Sequence, residues 1–223
     1  SVAAGNPHRI RIVNMSLGDY LDETKPPGPG SCDAEVPDYK AAFDLLSQAG
    51  VLVVAASGNG GCTNGIVLPA CVSNTLAVGA VYDSAVDAVF FRQRRCLPSG
   101  CIDGSPAADQ IPCYSDSSDR LDVLAPSDCA KAPWKGGGTI PCFNGTSAAA
   151  PYASGVAALL FGAEPLRGPV EVKAAMRSTG TPITDARNGI TRNRLDAPAA
   201  LAFLRSAPQG SARAELLVPV VLD

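Results

Sequence analysis

The chain contains one continuous run of apolar residues, Val51-Leu52-Val53-Val54-Ala55-Ala56. A strand that is buried on one face alternates apolar and polar residues, whereas a parallel strand covered on both faces reads as an unbroken apolar run. The run therefore predicts a buried parallel strand with other elements packed on both of its faces.

Strand and helix signals alternate around this run. Before it, the segment from Ile10 to Met15 is rich in β-branched residues, and the segment from Pro37 to Gln48 has apolar residues at helical spacing. After it, two apolar segments predict further buried strands, at Leu76 to Val81 and at Leu121 to Pro126. The order of strand, helix and strand predicts an α/β fold, with a mostly parallel sheet flanked by helices on both faces.

The last third of the chain reads as helical. Small and apolar residues predict a buried helix from Ser147 to Leu160, and apolar periodicity predicts amphipathic helices at Val170 to Ser178 and Ala197 to Leu204. Two segments read as surface loops, at Lys25 to Gly30 and at Arg92 to Pro112. We expect one domain over residues 1–205, followed by a tail, residues 206–223, to which the pattern assigns no role.

Composition excludes two classes of partner and indicates a compartment. A net charge of −3 supplies no long-range positive field for nucleic acid, and the longest apolar stretch is far too short to span a bilayer. Eight cysteines with a single histidine predict disulfides and no metal site. Because disulfides persist in oxidising compartments, we expect an extracellular, secreted protein, with buried free thiols as the alternative.

The stretch with the clearest chemistry is Phe143-Asn144-Gly145-Thr146-Ser147-Ala148-Ala149-Ala150-Pro151, in which a Gly-to-Ser turn opens a helix of very small residues. The free N–H groups and the positive dipole end of a helix start stabilise an alkoxide or a tetrahedral oxyanion. Taken alone, a serine in this position is more often an N-cap than a nucleophile. Two further segments accompany it, Ile12-Val13-Asn14-Met15-Ser16-Leu17-Gly18 and Val53-Val54-Ala55-Ala56-Ser57-Gly58-Asn59-Gly60-Gly61.

These three segments, in this order, resemble the subtilisin-like serine proteases. The resemblance runs from about Ile10 to about Leu204 and includes Gly155-Val156-Ala157-Ala158-Leu159-Leu160. It implies that the chain is the C-terminal part of a subtilisin-like catalytic domain whose N-terminal portion is missing. It also implies hydrolysis of peptide bonds in extended peptide or protein substrates.

The resemblance assigns roles to nine residues. Ser147 matches the nucleophile, and Asn59 matches the amide that donates a hydrogen bond to the oxyanion without giving up its proton. The segment Ser16-Leu17-Gly18 resembles the edge along which the family lays an extended peptide. The remaining substrate-binding positions are Ala56, Ser57, Gly58 and Thr146, and the small residues among them leave room for a large side chain.

The family's acid–base pair is not found in this sequence. A serine hydroxyl needs a base, which the family supplies as a histidine oriented by an aspartate, both from motifs upstream of the Ile12-to-Gly18 segment. The only histidine, His8, lacks the helix-opening glycine of that motif, so we expect it at the surface. We therefore expect the chain alone to be inactive and its partner to be the missing N-terminal part of its own domain. The absent strands would be central ones, which leaves apolar faces uncovered.

Two alternatives to a protease remain open. One is a pseudo-protease or peptide-binding module, in which the base is absent from the gene product. The other is an inert structural fragment, which would follow if the turns carrying Asn59 and Ser147 lie too far apart to share one oxyanion. No cofactor is expected, and although the resemblance allows calcium, no ligand set can be assigned.

Loops around the implied site hold several cysteines and arginines. Cys129 and Cys142 bracket the loop before Ser147, and Cys62 and Cys71 bracket the loop after Asn59, so each of these is a candidate disulfide. The sequence does not choose among the connectivities that eight cysteines permit. The resemblance offers Cys32 as another partner for Cys71. The cluster Arg92, Arg94 and Arg95 reads as a solvated loop face, with a processing site as the less favoured interpretation.

Overall fold

The computed structural model describes residues 9–21, 28–92 and 94–208. His8, the first half of the Lys25-to-Gly30 segment and nearly all of the tail lie outside the described residues. In chain order the elements are β1 (Ile12–Met15), α1 (Pro37–Gln48), β2 (Leu52–Ala56), β3 (Thr75–Val81), β4 (Val89–Phe91), β5 (Cys101–Asp103), β6 (Val123–Pro126), β7 (Ala130–Pro133), β8 (Thr139–Phe143), α2 (Thr146–Ala163), α3 (Pro169–Ser178), β9 (Thr181–Thr184), β10 (Thr191–Arg194) and α4 (Ala197–Ser206).

The main sheet has six strands in the order β1-β2-β3-β6-β10-β9. All neighbouring pairs run parallel except β10 and β9, which are antiparallel. β2 is the apolar run with which the sequence analysis began, and it lies between β1 and β3, with Val54 opposite Asn14 and Leu76. The prediction of a mostly parallel α/β sheet is confirmed.

Alternate residues of β2 face two different cores. Leu52 and Val54 pack with residues of α2, α3 and α4, whereas Val53 and Ala55 pack with Phe43 of α1 and with loop residues on the opposite face. All of the β2 residues are buried. Burial on both faces explains why the sequence of β2 is apolar without alternation.

Three short antiparallel pairs depart from the sequence prediction. β9 and β10 form a hairpin within the C-terminal third that was predicted to be helical, and β5 lies within the predicted loop from Arg92 to Pro112 and pairs with β4. β7 and β8 form a hairpin immediately before α2. Most residues of these strands are exposed or half-buried, so their sequences lack the apolar run that marks β2 and β3.

All eight cysteines are paired, as Cys32–Cys71, Cys62–Cys96, Cys101–Cys113 and Cys129–Cys142. The predicted Cys129–Cys142 pair is confirmed, as is Cys71 with its alternative partner Cys32. The Cys62–Cys71 pair is wrong, because the loop after β4 folds back onto the turn after β2, where the N–H of Cys96 donates to the carbonyl of Gly60 at 2.9 Å.

Helix α2 presents an apolar surface, and strand β1 an unpaired edge, at one side of the molecule. α2 contains no charged residue, yet one of its faces is exposed, formed by Pro151, Tyr152, Gly155, Ala158, Leu159, Gly162 and Ala163. Within the described residues, β1 pairs with β2 alone, so its other edge is open. A helix that is apolar all round is ordinarily buried all round. None of the described helices has both the length and the apolarity that a membrane crossing requires.

Candidate functional site

The start of α2 places Ser147 at the carboxyl end of the parallel strands. Gly145 is the N-cap residue and adopts φ +86°, a conformation that side chains rarely tolerate. A Cβ atom at Gly145 would also lie 3.2 Å from Oδ1 of Asn59, so only glycine permits this approach. Ser147 is the second residue of the helix, and its N–H therefore has no acceptor within the helix.

Asn59 lies in the turn that follows β2, and Thr146 fixes its orientation. Oδ1 of Asn59 accepts hydrogen bonds from the N–H of Thr146 at 2.9 Å and from the Thr146 hydroxyl at 3.0 Å. The Thr146 hydroxyl in turn accepts from the N–H of Gly58 at 3.2 Å. Since Oδ1 is occupied, the Nδ2 group is the part of Asn59 that can donate to a ligand. The two turns are in direct contact, which removes the condition for an inert fragment.

The hydroxyl of Ser147 donates to the carbonyl oxygen of Ser16 at 3.3 Å, and the hydroxyl of Ser16 donates to the carbonyl oxygen of Ser147 at 2.8 Å. A separation of 3.3 Å is long for an O–H···O hydrogen bond. No histidine lies among the described residues. In this part of the chain, the Ser147 hydroxyl therefore contacts a backbone carbonyl where a general base would be needed for proton removal.

A cavity of about 390 Å³, here called the Ser147 pocket, opens beside Ser147. Seven of the nine predicted site residues line it: Leu17, Gly18, Ala56, Gly58, Asn59, Thr146 and Ser147. Ser16 contacts Ser147 directly, as described above. Ser57 is fully buried behind the pocket wall, where its hydroxyl donates to the carbonyl of Asp116.

Tyr20, Val67, Arg94 and Arg95 also line the Ser147 pocket, and the sequence analysis did not assign them to it. The two arginines reach the pocket through the Cys62–Cys96 disulfide, which joins their loop to the turn carrying Asn59. Cys96, next to Arg94 and Arg95, was the one sequence feature that could have placed these arginines at the pocket. The sequence offered no way to choose Cys62 as the partner of Cys96.

Asp116, which was also missed, braces the turn that carries Asn59. It is fully buried, and its carboxylate accepts from the N–H of Cys62 at 2.8 Å and from the hydroxyl of Tyr20 at 2.9 Å. Its N–H donates to the carbonyl of Gly58 at 3.0 Å. Burial raises the pKa of Asp116 to about 7, and the hydrogen bonds to the carboxylate oppose this shift.

The described residues contain one group that resembles a metal-ligand set, formed by Asp128, Cys129 and Cys142. The two cysteines are joined to each other in a disulfide, so they offer no thiolate. This group is therefore not a metal site. It also does not fit calcium, which requires several oxygen ligands.

The chain resembles known proteins over most of its length. The sequence model of the Subtilase family matches residues 1–197. Subtilisin of Bacillus pumilus is 30% identical over 177 residues, which make up 78% of this chain and 50% of that protein. Subtilisin E of Bacillus subtilis (strain 168) is also 30% identical over 177 residues, covering 78% of this chain and 36% of that protein. The chain thus spans half or less of the length of these curated relatives.

Solved structures show the same likeness. The patellamide maturation protease PatA superposes with a TM-score of 0.66 at 26% identity, covering 90% of this chain and 65% of that chain. The prenylagaramide maturation protease PagA gives a TM-score of 0.65 at 27% identity, covering 88% and 63%. With a family match over most of its residues, and with this sheet and this helix start, the chain belongs to the subtilase family.

Proposed function

We propose that this chain carries the nucleophile, the oxyanion hole and the substrate-binding pocket of an extracellular serine endopeptidase. The observation that carries the proposal is the 2.9 Å hydrogen bond from the N–H of Thr146 to Asn59, which ties the oxyanion amide to the start of the helix that bears Ser147. Membership of the subtilase family supports serine proteolysis, and four disulfides support an oxidising compartment.

The proposed reaction proceeds through an acyl-enzyme. Oγ of Ser147 attacks the substrate carbonyl carbon, a C–O bond forms, and the electron pair of the C=O bond moves onto oxygen. The N–H of Ser147 and the Nδ2 group of Asn59 donate to this oxyanion, which is stabilised more than the neutral carbonyl. A base takes the proton of Ser147 and passes it to the leaving amine. Water then attacks the carbonyl carbon of the acyl-enzyme, and the bond to Oγ of Ser147 breaks. This releases the carboxylic acid product and restores the serine hydroxyl.

The base of this reaction is a histidine outside the described residues. We assign it to a polypeptide segment that pairs with the open edge of β1 and covers the exposed apolar face of α2. Both surfaces lie on one side of the molecule, since Ser154 of α2 donates to the side chain of Asn14 in β1 at 3.0 Å. This partner corresponds to the N-terminal part of the domain that the sequence analysis expected. Residues 1–205 then form one part of that domain, and no role is assigned to the tail.

A peptide-binding module is the second candidate. It is favoured by the contact of the Ser147 hydroxyl with the carbonyl of Ser16, where no described residue acts as a base. In this function, the segment Ser16-Leu17-Gly18 and the wall formed by Ala56 and Gly58 would hold an extended peptide by backbone hydrogen bonds without cleaving it.

Labelling with a fluorophosphonate probe, followed by mass mapping, distinguishes the two functions. The probe is applied to this chain alone and to the complete gene product, with Ser147→Ala as the control. We expect Ser147 to be labelled in the complete gene product and not in the chain alone. Labelling in neither protein would contradict the protease and favour the peptide-binding module.

A further inference from the structure

Two arginines lie at the Ser147 pocket in a loop that is fixed covalently. Arg94 and Arg95 line the pocket together with Gly58 and Ser147. Cys96, the next residue, forms a disulfide with Cys62 and donates its N–H to the carbonyl of Gly60 at 2.9 Å. Because the turn after β2 thus holds this loop at two points, the arginines belong to the pocket wall and not to a detached surface loop.

The Arg94–Arg95 turn is further ordered by local contacts. The N–H of Arg94 donates to the carbonyl of Leu97 at 3.0 Å, which closes the turn. The guanidinium carbon of Arg95 lies 4.4 Å from the ring centroid of Tyr20, a stacking distance for arginine on an aromatic ring. Stacking restricts the guanidinium plane, so less side-chain entropy is lost when a ligand binds to it.

Among the described residues, the carboxylates near the Ser147 pocket compensate the charge of Arg94 only weakly. Asp116 lies behind the wall, its oxygens already accept from Cys62 and Tyr20, and its raised pKa of about 7 makes it partly neutral at neutral pH. Asp19 is exposed, where water and salt weaken its field. Within the described part of the chain, the guanidinium of Arg94 makes no ion pair.

We propose that the Ser147 pocket selects an acidic side chain, glutamate or aspartate, in the peptide substrate, and that Arg94 and Arg95 are its specificity-determining residues. A guanidinium binds a carboxylate by two parallel N–H···O bonds, which gives direction as well as affinity. The apolar walls at Leu17 and Val67 suit the methylene groups of the same side chain. This inference rests on the proposed function, since it names the substrate class of the same site.

The test uses end-blocked peptides that differ only at the residue expected to fill the pocket: glutamate, glutamine, leucine or lysine. Blocked ends exclude recognition of a terminal carboxylate. For the complete gene product, we expect kcat/KM for the glutamate peptide to exceed that for its glutamine isostere about tenfold to a hundredfold. The Arg94→Gln/Arg95→Gln double variant should bring this ratio close to one. Arg92→Gln is the matched control, because Arg92 is in the same loop and does not line the pocket.

Binding separates failure of this inference from failure of the proposed function. Anisotropy titrations of labelled peptides against Ser147→Ala measure recognition without cleavage, and the glutamate peptide should again bind about tenfold or more tightly than the glutamine peptide. If the glutamate peptide binds more tightly than the glutamine peptide but the parent protein does not cleave it, the result would contradict the proposed protease function and support the acidic pocket. Equal binding of the two peptides, or a ratio that survives in the double variant, would overturn the acidic pocket. If the double variant does not fold, Arg94→Gln, at an exposed side chain, replaces it and should lower the ratio.

Discussion

Asn59 is the residue on which the proposed chemistry depends most after Ser147. Its replacement in Asn59→Ala removes the Nδ2 donor, and we expect kcat to fall by about 10²–10³, the range known for the corresponding amide of subtilisin, with a small change in KM. Steady-state kinetics on the complete gene product measure this. Asn144→Ala is the control, because Asn144 is an exposed amide just before the same helix and should retain full activity. Similar losses in both variants would contradict the role of Asn59.

Asp116 gives the protein a pH-dependent stability with a defined sign. Its pKa is raised by burial to about 7 in the folded protein and lies near 4 in the unfolded chain, so the folded state binds its proton more tightly. This contribution to stability is fully present below about pH 4 and is lost as the pH rises to about 7. Relative to Asp116→Asn, the wild-type protein should lose on the order of 4 kcal/mol over this interval. Urea unfolding at several pH values measures the difference, and a difference that is flat or rises with pH would contradict the argument.

At the residue scale, the sequence predicted the positions that local motifs specify. Asn59, Thr146 and Ser147 each lie within a short motif, and the structure brings them into contact. Tyr20 and Asp116 could not be predicted in this way, because they meet only through a hydrogen bond between residues 96 positions apart. Their contribution depends on the folded chain and not on any local pattern.

At the scale of elements, the Cys62–Cys96 disulfide connects the loop after β4 to the turn that carries Asn59. We expect the double variant Cys62→Ala/Cys96→Ala to lose about 2–4 kcal/mol of stability and also to lose most of its preference for the glutamate peptide, since the arginine turn is released. The Cys101→Ala/Cys113→Ala variant is the control. It removes a disulfide of β5 that does not touch the pocket, so it should lose a similar stability and keep the preference. Urea unfolding and the peptide kinetics measure the two effects, and an unchanged preference in both variants would contradict the role of the loop.

The bounds of helices and strands could be predicted from the sequence where burial requires apolar side chains. α1 has the predicted bounds, and β2 starts one residue after the predicted run, because apolar side chains there must face a core. The hairpins β7–β8 and β9–β10 were not predictable, since cross-strand hydrogen bonds form them and most of their side chains face solvent. The same reason explains the missed β4–β5 pair.

At the scale of the whole molecule, α2 exposes an apolar face of the kind that a folded domain ordinarily buries. Leu159 is 67% exposed in the middle of a helix without charged residues, at the side where β1 has an open edge. Apolar surface of this kind favours association with another polypeptide. We attribute it to contact with the segment that supplies the base, since the proposed protease needs a histidine from outside the described residues.

A pair of glutamate substitutions tests whether this face is covered in the complete gene product. Leu159→Glu and Ile102→Glu change side chains of nearly equal exposure, 67% and 65%, but Ile102 lies on β5, away from β1 and α2. If a segment covers α2, Leu159→Glu buries a charge without a partner, which costs several kcal/mol. We then expect a large fall in melting temperature and loss of fluorophosphonate labelling at Ser147.

Ile102→Glu should change stability by about 0.5 kcal/mol or less and keep the labelling, as expected for a surface site. In this chain alone both substitutions should be nearly neutral. A neutral Leu159→Glu in the complete gene product would show that the α2 face is exposed to water there, and the base would then have to reach Ser147 by another route.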